Sequence, residues 1–203
     1  MTIRHVFFDV GGVLGTDGWD HRQRAAAAER FGLDLAEFQD RHEEAVSSWE
    51  AGGMSMDEYL DLTVFHRLRE FTRDDFKAFI FAQSEPFPDV IALARALSGR
   101  YRLYTLNNES AELNAYRIDK FGLRDIFVAY FSSCWLRAVK PAPRIYELAL
   151  AMSQAAPDTT VFIDDRERNL DVPRELGMHV IRFENARALR AALGDLGVRA
   201  DGT

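Results

Sequence analysis

Short apolar segments that end in acidic or amide residues recur along this chain and constrain its fold most strongly. Residues 5–8 (His-Val-Phe-Phe) lead into Asp9, and residues 160–163 (Thr-Val-Phe-Ile) lead into Asp164 and Asp165. Segments of this length, rich in aromatic and β-branched residues, predict buried strands of a parallel sheet. Polar residues at the carboxyl ends of such strands face the ligand site of an open α/β sheet. The pattern therefore predicts three carboxylates at one edge of the sheet.

Two further segments add an amide pair and a lysine to the same predicted edge. Residues 101–106 form an apolar run that ends in Asn107 and Asn108, and Lys140 follows the apolar run at residues 127–131. Carboxylate oxygens suit a hard divalent cation, and a lysine supplies a compact positive charge for an anion. The sequence therefore predicts a site for a divalent metal and an anionic group.

The order of the predicted elements indicates the fold class. The predicted strands are residues 101–106, 126–131, 160–164 and 178–183, and the predicted helices are residues 89–98, 110–120, 143–153, 169–176 and 185–194. Together with the first strand, this alternation is typical of an α/β protein with a doubly wound parallel sheet. Pro173 fits this scheme if its helix starts near Asp171, because first-turn N–H groups have no partner within a helix.

A helical insertion separates the first strand from the rest of the predicted sheet. The first 85 residues contain no proline, and Pro86 and Pro88 then mark a linker. Before this linker, apolar residues recur at helical spacing, and residues 55–58 (Ser-Met-Asp-Glu) match a capping box. The predicted domains are an α/β core of residues 1–15 and 86–203 and a helical-bundle cap of residues 16–85.

The composition limits the classes of partner and compartment. With 203 residues, 47% of them hydrophobic and 28% charged, the chain has an ordinary globular composition. Its net charge of -7, without a run of basic residues, argues against nucleic acid or an anionic membrane as partner. The single cysteine excludes an internal disulfide, and no apolar segment is long enough for a membrane span. We therefore expect a cytoplasmic protein, and the oligomeric state is unknown from the sequence.

Four motifs resemble those of the haloacid dehalogenase-like (HAD) superfamily. They are residues 7–14 (Phe-Phe-Asp-Val-Gly-Gly-Val-Leu), 106–108 (Leu-Asn-Asn), 140–141 (Lys-Pro) and 162–165 (Phe-Ile-Asp-Asp) with Asn169. Residues 169–178 are also similar to the phosphatase domain of soluble epoxide hydrolases. The motifs occur in the family's order, with the predicted cap after the first. The resemblance implies a Rossmann-like HAD core with the small helical cap of subfamily I.

The resemblance also implies roles for the residues at the predicted sheet edge. Asp9 would be the nucleophile that forms an aspartyl-phosphate, and Lys140 would neutralise carboxylate and phosphate charge. Mg²⁺ would be held by Asp9, the carbonyl of Gly11, Asp165 and, directly or through water, Asp164. These roles are those of a Mg²⁺-dependent phosphatase that acts on a small phosphorylated metabolite.

Phosphate-binding donors are implied in the same way. The side chains of Asn107, Asn108 and Lys140 and the main-chain N–H groups of the turn that contains Gly12 would donate to phosphate oxygens. Asn107 stands where the family usually has serine or threonine, and an amide can also donate. We therefore expect all four of these residues to contact the phosphate group.

One residue departs from the phosphatase pattern. Gly11 stands where phosphatases of the family carry a second aspartate, which protonates the leaving group. Such an acid contributes about 10²–10⁴-fold to the rate. A substitute role is open to Asp17, although we expect Asp17 and Asp20 to cap the first helix of the cap. The glycine also has a structural interpretation, which is a turn that needs a positive φ.

Several other functions compete with the phosphatase. A 2-haloacid dehalogenase shares the nucleophile and lacks the second aspartate, but it works without metal and without the acidic pair. Asp164 and Asp165 would repel each other with no cation between them, which favours the phosphatase. A phosphosugar mutase depends on the missing acid, and a receiver-type signalling domain carries its acidic pair at the first strand and has no cap. A non-catalytic binding protein of this fold is the alternative from a different class.

The remaining chemically notable residues have simpler interpretations. His21, Arg22 and Arg24 are expected on a solvated helix face rather than against an anion. Trp49, Trp135 and Cys134 are expected in the core or the wall of a pocket. Glu109 is expected to be a charge at the amino end of a helix.

Overall fold

A five-stranded parallel sheet forms the centre of the structure, a computed structural model that describes residues 2–200. The strands are β1 (His5–Phe8), β2 (Arg102–Asn107), β3 (Ala129–Ser132), β4 (Thr160–Asp164) and β5 (His179–Arg182). They lie in the order β3-β2-β1-β4-β5, and every neighbouring pair is parallel. The predicted α/β fold with a doubly wound parallel sheet is confirmed. Because β1 lies between β2 and β4, the carboxyl ends of these three strands are side by side.

The insertion after β1 contains four helices. They are α1 (His21–Phe31), α2 (Leu35–Glu50), α3 (Met56–Thr63) and α4 (Arg73–Ala82). Asp20 and Asp34 cap α1 and α2, whereas Ser55 and Thr72 each begin a capping box. The predicted capping box at Ser55 is thus confirmed, and Asp20 is the aspartate that caps the first helix. A hydrophobic cluster of the insertion's own residues, joined by Leu113, forms its interior.

Six helices of the core cover the two faces of the sheet. They are α5 (Pro88–Leu97), α6 (Ala111–Lys120), α7 (Ser133–Leu136), α8 (Pro143–Ser153), α9 (Asp171–Glu175) and α10 (Ala186–Asp195). Side chains alternate between the two faces of β1, so that Val6 and Phe8 pack in one cluster and Phe7 packs in another. Both faces of the sheet are therefore buried, as the continuous apolar strands predict.

Two predicted elements differ from the structure at their ends. The strand predicted from residue 126 starts at Ala129, because Leu123–Asp125 form a 3₁₀ helix before it. The helix predicted at residues 169–176 is divided into the 3₁₀ turn Glu167–Asn169 and α9. Pro173 is the third residue of α9, where its missing N–H removes no helical hydrogen bond.

Two adjacent linkers join the insertion to the core. Gly15 and Pro86 form an isolated bridge, and the N–H of Thr16 donates to the carbonyl of Glu85 at 2.8 Å. A Cβ on Gly15 would lie 2.6 Å from the Glu85 carbonyl oxygen, so the close approach requires glycine. We propose that these paired linkers are the boundary between core and cap. Among the described residues, no helix has the length and apolar character to cross a membrane.

Candidate active site

Three carboxylates and one lysine meet at the carboxyl edge of the sheet. Asp9 follows β1, whereas Asp164 ends β4 and precedes Asp165. One carboxylate oxygen from each of the three lies within 4.8 Å of the others. Lys140 Nζ lies 2.9 Å from Asp9 Oδ1 and 2.6 Å from Asp164 Oδ2. We call Asp9, Lys140, Asp164 and Asp165 the sheet edge, and the structure brings them together as the strand order predicts.

Asn108, the residue directly after β2, holds Lys140 in place. The main-chain N–H of Lys140 donates to Asn108 Oδ1 at 2.7 Å, and Asn108 Nδ2 donates to the carbonyl of Lys140 at 3.0 Å. Both ends of the Asn108 amide are therefore used to position the lysine. Contact of the Asn108 side chain with a phosphate group stays a prediction.

The two acids of the fourth motif differ in how their oxygens are satisfied. Asp164 accepts hydrogen bonds from Lys140, from the N–H of Arg166 and from Asn169 Nδ2. Asp165 Oδ1 is buried and has no hydrogen-bond partner among the described residues. A buried carboxylate oxygen without a donor is suited to a cation, and an all-oxygen set of ligands suits Mg²⁺. The residues present therefore fit the metal that the motifs imply.

The electrostatics of the sheet edge also favour a cation. Burial raises the pKa of Asp9 to about 8, although Lys140 acts in the opposite direction. Burial, and then the charge of Asp164, raise the pKa of Asp165. For Lys140, burial acts to lower the pKa, but Asp9 and Asp164 together outweigh it and raise the pKa. A divalent cation would oppose the upward shifts of the two aspartates, because it stabilises the ionised carboxylates.

A small cavity lies between the sheet edge and the insertion. Its volume is about 190 Å³, below the roughly 300–1,000 Å³ of sites for drug-sized ligands. Asp9, Gly11, Asn108 and Lys140 line it from the core. The side of the insertion is lined by Asp17, Gly18, Trp19, Asp20, Arg24, His42, Val46, Trp49 and Glu50. The volume and polar lining suit a small polar ligand.

Residues 3–177 match the haloacid dehalogenase-like hydrolase family. The chain belongs to this family. It is 26% identical to the D-ribitol-5-phosphate phosphatase of Bacteroides thetaiotaomicron over an alignment of 201 residues. This alignment covers 94% of this chain and 97% of that protein. It is also 42% identical to bifunctional epoxide hydrolase 2 of Mus musculus over an alignment of 59 residues. This shorter alignment covers 29% of this chain and 11% of that protein.

Solved structures confirm the fold of this HAD-like hydrolase. A HAD family enzyme from Bacteroides thetaiotaomicron, in complex with magnesium and inorganic phosphate, has a TM-score of 0.74 at 22% identity over 90% of this chain and 94% of that chain. The L-2-haloacid dehalogenase of Xanthobacter autotrophicus has a TM-score of 0.63 at 20% identity. The match covers 98% of this chain and 85% of that chain. Because both kinds of enzyme share the fold, only the residues of the site can distinguish their reactions.

Two predicted phosphate donors of the hydrolase are engaged elsewhere. The N–H of Gly12 donates to the carbonyl of Gly15 at 2.8 Å. Asn107 is buried, its Nδ2 donates to Asn114 Oδ1 at 3.0 Å, and it does not line the cavity. Local hydrogen bonds therefore engage the Gly12 N–H and one N–H of the Asn107 amide, and contact of these residues with a phosphate group stays a prediction. A Cβ on Gly12 would lie 2.6 Å from Asp165, so this glycine makes room for the carboxylate.

Gly11 is not required by backbone conformation. The glycine with a positive φ in this turn is Gly12, at 76°. A Cβ on Gly11 would lie 3.5 Å from Arg117 Nη1 and 3.9 Å from Asp17 Oδ1, which are ordinary contact distances. The structural interpretation of a positive φ therefore applies to Gly12, and the absence of an acid at position 11 is a chemical feature of the site.

Sequence reasoning missed several residues of the site. Arg24 was expected in solvent but is 7% exposed and lines the cavity. It shares one face of α1 with the buried Ala27 and Ala28. This spacing could have indicated its burial, but its charge favoured an exposed position. Glu109 is also buried, with Oε2 3.5 Å from Arg117 Nη1, and burial raises its pKa to about 7 despite that arginine.

Other expectations for isolated residues had mixed outcomes. Trp49 and Cys134 are buried as expected, whereas Trp135 is 49% exposed. His21 and Arg22 are exposed as expected. Asp17 does not cap α1, and its Oδ1 instead lies 3.4 Å from Arg166 Nη2, which also contacts Asp20 at 2.7 Å.

Proposed function

We propose that this HAD-like hydrolase is a Mg²⁺-dependent phosphatase that acts on a small phosphorylated metabolite through an aspartyl-phosphate on Asp9. The observation that carries the proposal is the group of three carboxylates within 4.8 Å of one another. Lys140 supplies one positive charge against three negative charges, so the site needs a further cation when all three acids are ionised. A metal-independent dehalogenase has no use for this surplus of negative charge.

The metal would be held by groups that the structure places beside one another. Asp9, Asp165 and the carbonyl of Gly11 would supply oxygen ligands, and Asp164 would act through water because its oxygens already accept hydrogen bonds. When bound, Mg²⁺ would neutralise the charge of the phosphate group and of the surrounding carboxylates.

Asp9 is oriented for nucleophilic attack. Its Oδ1 accepts from the N–H of Val10 at 2.8 Å and lies 2.9 Å from Lys140 Nζ. Its Oδ2 accepts no hydrogen bond from the described residues, and it would attack phosphorus as the bond to the leaving oxygen breaks. Water would then cleave the aspartyl-phosphate and release inorganic phosphate, which regenerates the Asp9 carboxylate.

Two main-chain N–H groups of the site are free to bind a phosphate group. The N–H groups of Gly11 and Asn108 have no hydrogen-bond acceptor within residues 2–200, and both residues line the cavity. We propose that these two N–H groups and Lys140 bind the phosphate oxygens. The side chain of Asn108 then acts only to position Lys140.

The test is a screen for phosphate release with purified protein and Mg²⁺. The panel includes D-ribitol 5-phosphate, because a relative across nearly the whole chain is a phosphatase for that compound. We expect turnover of at least one alkyl phosphate, no halide release from chloropropionate, and loss of turnover in excess chelator. Full activity in chelator, or halide release, would contradict the proposal.

A further inference from the structure

Two side chains of α2 face the cavity from the insertion with donor groups that have no acceptor. His42 and Trp49 are seven residues apart, so they project from the same face of the helix. Both are buried, at 6% and 2% exposure, and both line the cavity opposite Asp9. We call this pair the cap wall. Its polar atoms are not used in the phosphate chemistry, so they are available to the rest of the substrate.

A chain of hydrogen bonds fixes the proton on His42. Trp19 Nε1 donates to the hydroxyl oxygen of Tyr59 at 2.9 Å, and this hydroxyl lies 2.8 Å from His42 Nδ1. An indole nitrogen can only donate, so the Tyr59 hydroxyl oxygen accepts from Trp19, and we infer that its own proton is donated to His42 Nδ1. Burial lowers the pKa of His42 to about 3, so the ring is neutral. Nδ1 is then the acceptor, and the single ring proton lies on Nε2.

The ring of Trp49 is held against the same tyrosine. The two rings stack with centroids 3.9 Å apart and an angle of 9° between their planes. Trp49 Nε1 is buried and has no hydrogen-bond partner among the described residues. A buried donor without an acceptor is unfavourable unless a ligand or water supplies one. The indole N–H and the Nε2–H of His42 are therefore two fixed donors on one wall.

The charges around the cavity balance. The acidic and basic side chains that line it are five of each, namely Asp9, Asp17, Asp20, Glu50, Glu109, Arg24, Arg117, Lys140, Arg166 and Arg168. Lys140, Arg117 and Arg166 are each paired with an acid at the distances given above. Arg24 donates to Gln39 Oε1 and to the carbonyl of Trp19. Arg168 is exposed and forms no ion pair within residues 2–200, so it is the lining cation that a second anion would meet. The five acids and five bases otherwise leave no net positive charge to attract a second anionic group of the substrate.

We propose that the cap wall selects phosphate esters of uncharged polyhydroxy compounds, with His42 Nε2–H and Trp49 Nε1–H donating to hydroxyl oxygens of the leaving group. Glu50, which also lines the cavity, accepts a hydrogen bond from a substrate hydroxyl in return. Tyr59 and Trp19 are positioning residues that keep the proton of His42 on Nε2. This proposal rests on the proposed phosphatase function.

The first test compares substrates with the wild-type protein and Mg²⁺. We expect kcat/KM for a pentitol phosphate to exceed that for a phosphoglycerate, which carries a second anion, by at least about tenfold. p-Nitrophenyl phosphate, which has no hydroxyl group, reports the phosphatase reaction by itself. If no phosphate ester is hydrolysed, the proposed function fails. If the aryl ester is hydrolysed and phosphoglycerate is preferred to the pentitol ester, only the cap-wall proposal fails.

The second test removes the donors one at a time. Trp49→Phe keeps the stacking ring without the N–H, and His42→Leu removes the imidazole donor. Each is expected to raise KM for the pentitol phosphate about 3- to 10-fold relative to p-nitrophenyl phosphate, the range for one lost hydrogen bond. His42→Gln, which restores an amide donor, should recover part of the loss. Equal changes for both substrates in all three variants would contradict the proposal.

The third test addresses the positioning of the proton. Nitrogen NMR shifts of the His42 ring should report the Nε2–H form in the wild type and a mixture of tautomers in Tyr59→Phe. Tyr59→Phe should also raise KM for the pentitol ester more than it lowers kcat. The matched control is Tyr101→Phe, which removes a hydroxyl bonded to Arg199 and Gly197 outside the cavity and should leave both measurements unchanged. An Nδ1–H form in the wild type would overturn the assignment.

Discussion

The sheet edge and the cap wall face each other across one cavity, but their buried polar groups are satisfied in opposite ways. At the sheet edge the groups are charged and contact one another, with Lys140 between Asp9 and Asp164. On the cap wall the groups are neutral, and the chain from Trp19 through Tyr59 ends at His42. Charge attracts a metal and a phosphate group, whereas neutral donors discriminate among hydroxyl patterns. The two proposals together therefore place reaction and selectivity on different elements of the chain.

The largest expected effect is the loss of catalytic rate when the sheet edge alone is altered. Asp9→Asn keeps the shape of the side chain and removes the nucleophile, so kcat/KM should fall by at least about 10³-fold for every phosphate ester. Circular dichroism and the melting temperature show whether the variant is folded. Asp158→Asn, a substitution in the 3₁₀ turn before β4, is a control that should retain wild-type rates. A folded Asp9→Asn protein with a tenth of wild-type activity would contradict covalent catalysis.

A smaller effect is expected when an acid is added between the two regions. In Gly11→Asp, the new carboxylate has room beside Arg117 and can protonate an alkoxide leaving group. The rate for alkyl phosphates should rise by up to about 10²-fold, whereas aryl phosphates, which leave as stable phenolates, should change little. The contrasting variant is Gly12→Ala, in which a Cβ would meet Asp165 and a positive φ would be strained.

The rates in Gly11→Asp also decide whether another acid already acts. A folded variant with an unchanged alkyl-to-aryl ratio would show that the leaving group is protonated elsewhere. Asp17, whose Oδ1 would lie 3.9 Å from a Cβ at position 11, is then the residue to test. Asp17→Asn would in that case lower the alkyl rate and spare the aryl rate.

The smallest expected effect is a difference in how the two regions respond to pH. Burial raises the pKa of Asp9 from its usual 3.8 to about 8, so the metal-free folded state binds a proton that the unfolded state releases. Stability should therefore fall as pH rises toward 8. The contribution of His42 to stability changes with pH in the opposite direction. Its pKa is lowered from 6.5 to about 3, so between these values the unfolded state is protonated and the folded state is not. Its contribution is lost as pH falls.

Denaturant unfolding in chelator checks both signs. Between pH 7 and 8.5 the free energy of unfolding should decrease by at most about 1.4 kcal/mol per pH unit, and Asp9→Asn should flatten this slope. Below pH 6.5, His42→Gln should reduce the decrease in the free energy of unfolding that accompanies falling pH. Mg²⁺ should raise the melting temperature, and the gain should increase with pH because the ion binds the ionised carboxylates. A Mg²⁺ effect that decreases with pH would contradict the metal site.

The sequence predicted the sheet edge better than the cap wall for a physical reason. Asp9, Asp164 and Asp165 follow buried strands, and parallel strands align their carboxyl ends whatever the details of packing. The hydrogen bonds of Gly12 to Gly15 and of Asn107 to Asn114 were not predicted, because they depend on local geometry that no motif encodes.

Within the cap, periodicity identified the buried face of α2 but not its chemistry. Trp49 was expected in the core or the wall of a pocket, and both Trp49 and His42, which share one face of α2, are buried. Their contact with Tyr59 depends on how α2 packs against α3, which spacing within one helix does not determine. The burial of Arg24 escaped prediction for the same reason, since its acceptors are Gln39 and the carbonyl of Trp19.

The paired linkers also explain why so large an insertion is compatible with the sheet. β1 and β2 are neighbours, yet about 90 residues separate them, and about 70 of these belong to the insertion. Loop-closure entropy grows only with the logarithm of length, so a roughly fourfold longer connection costs only about 1.2 kcal/mol. The hydrogen bond from Thr16 to Glu85 holds the two ends of the insertion together. Segments between them can therefore lengthen or shorten while strand pairing in the sheet is unchanged.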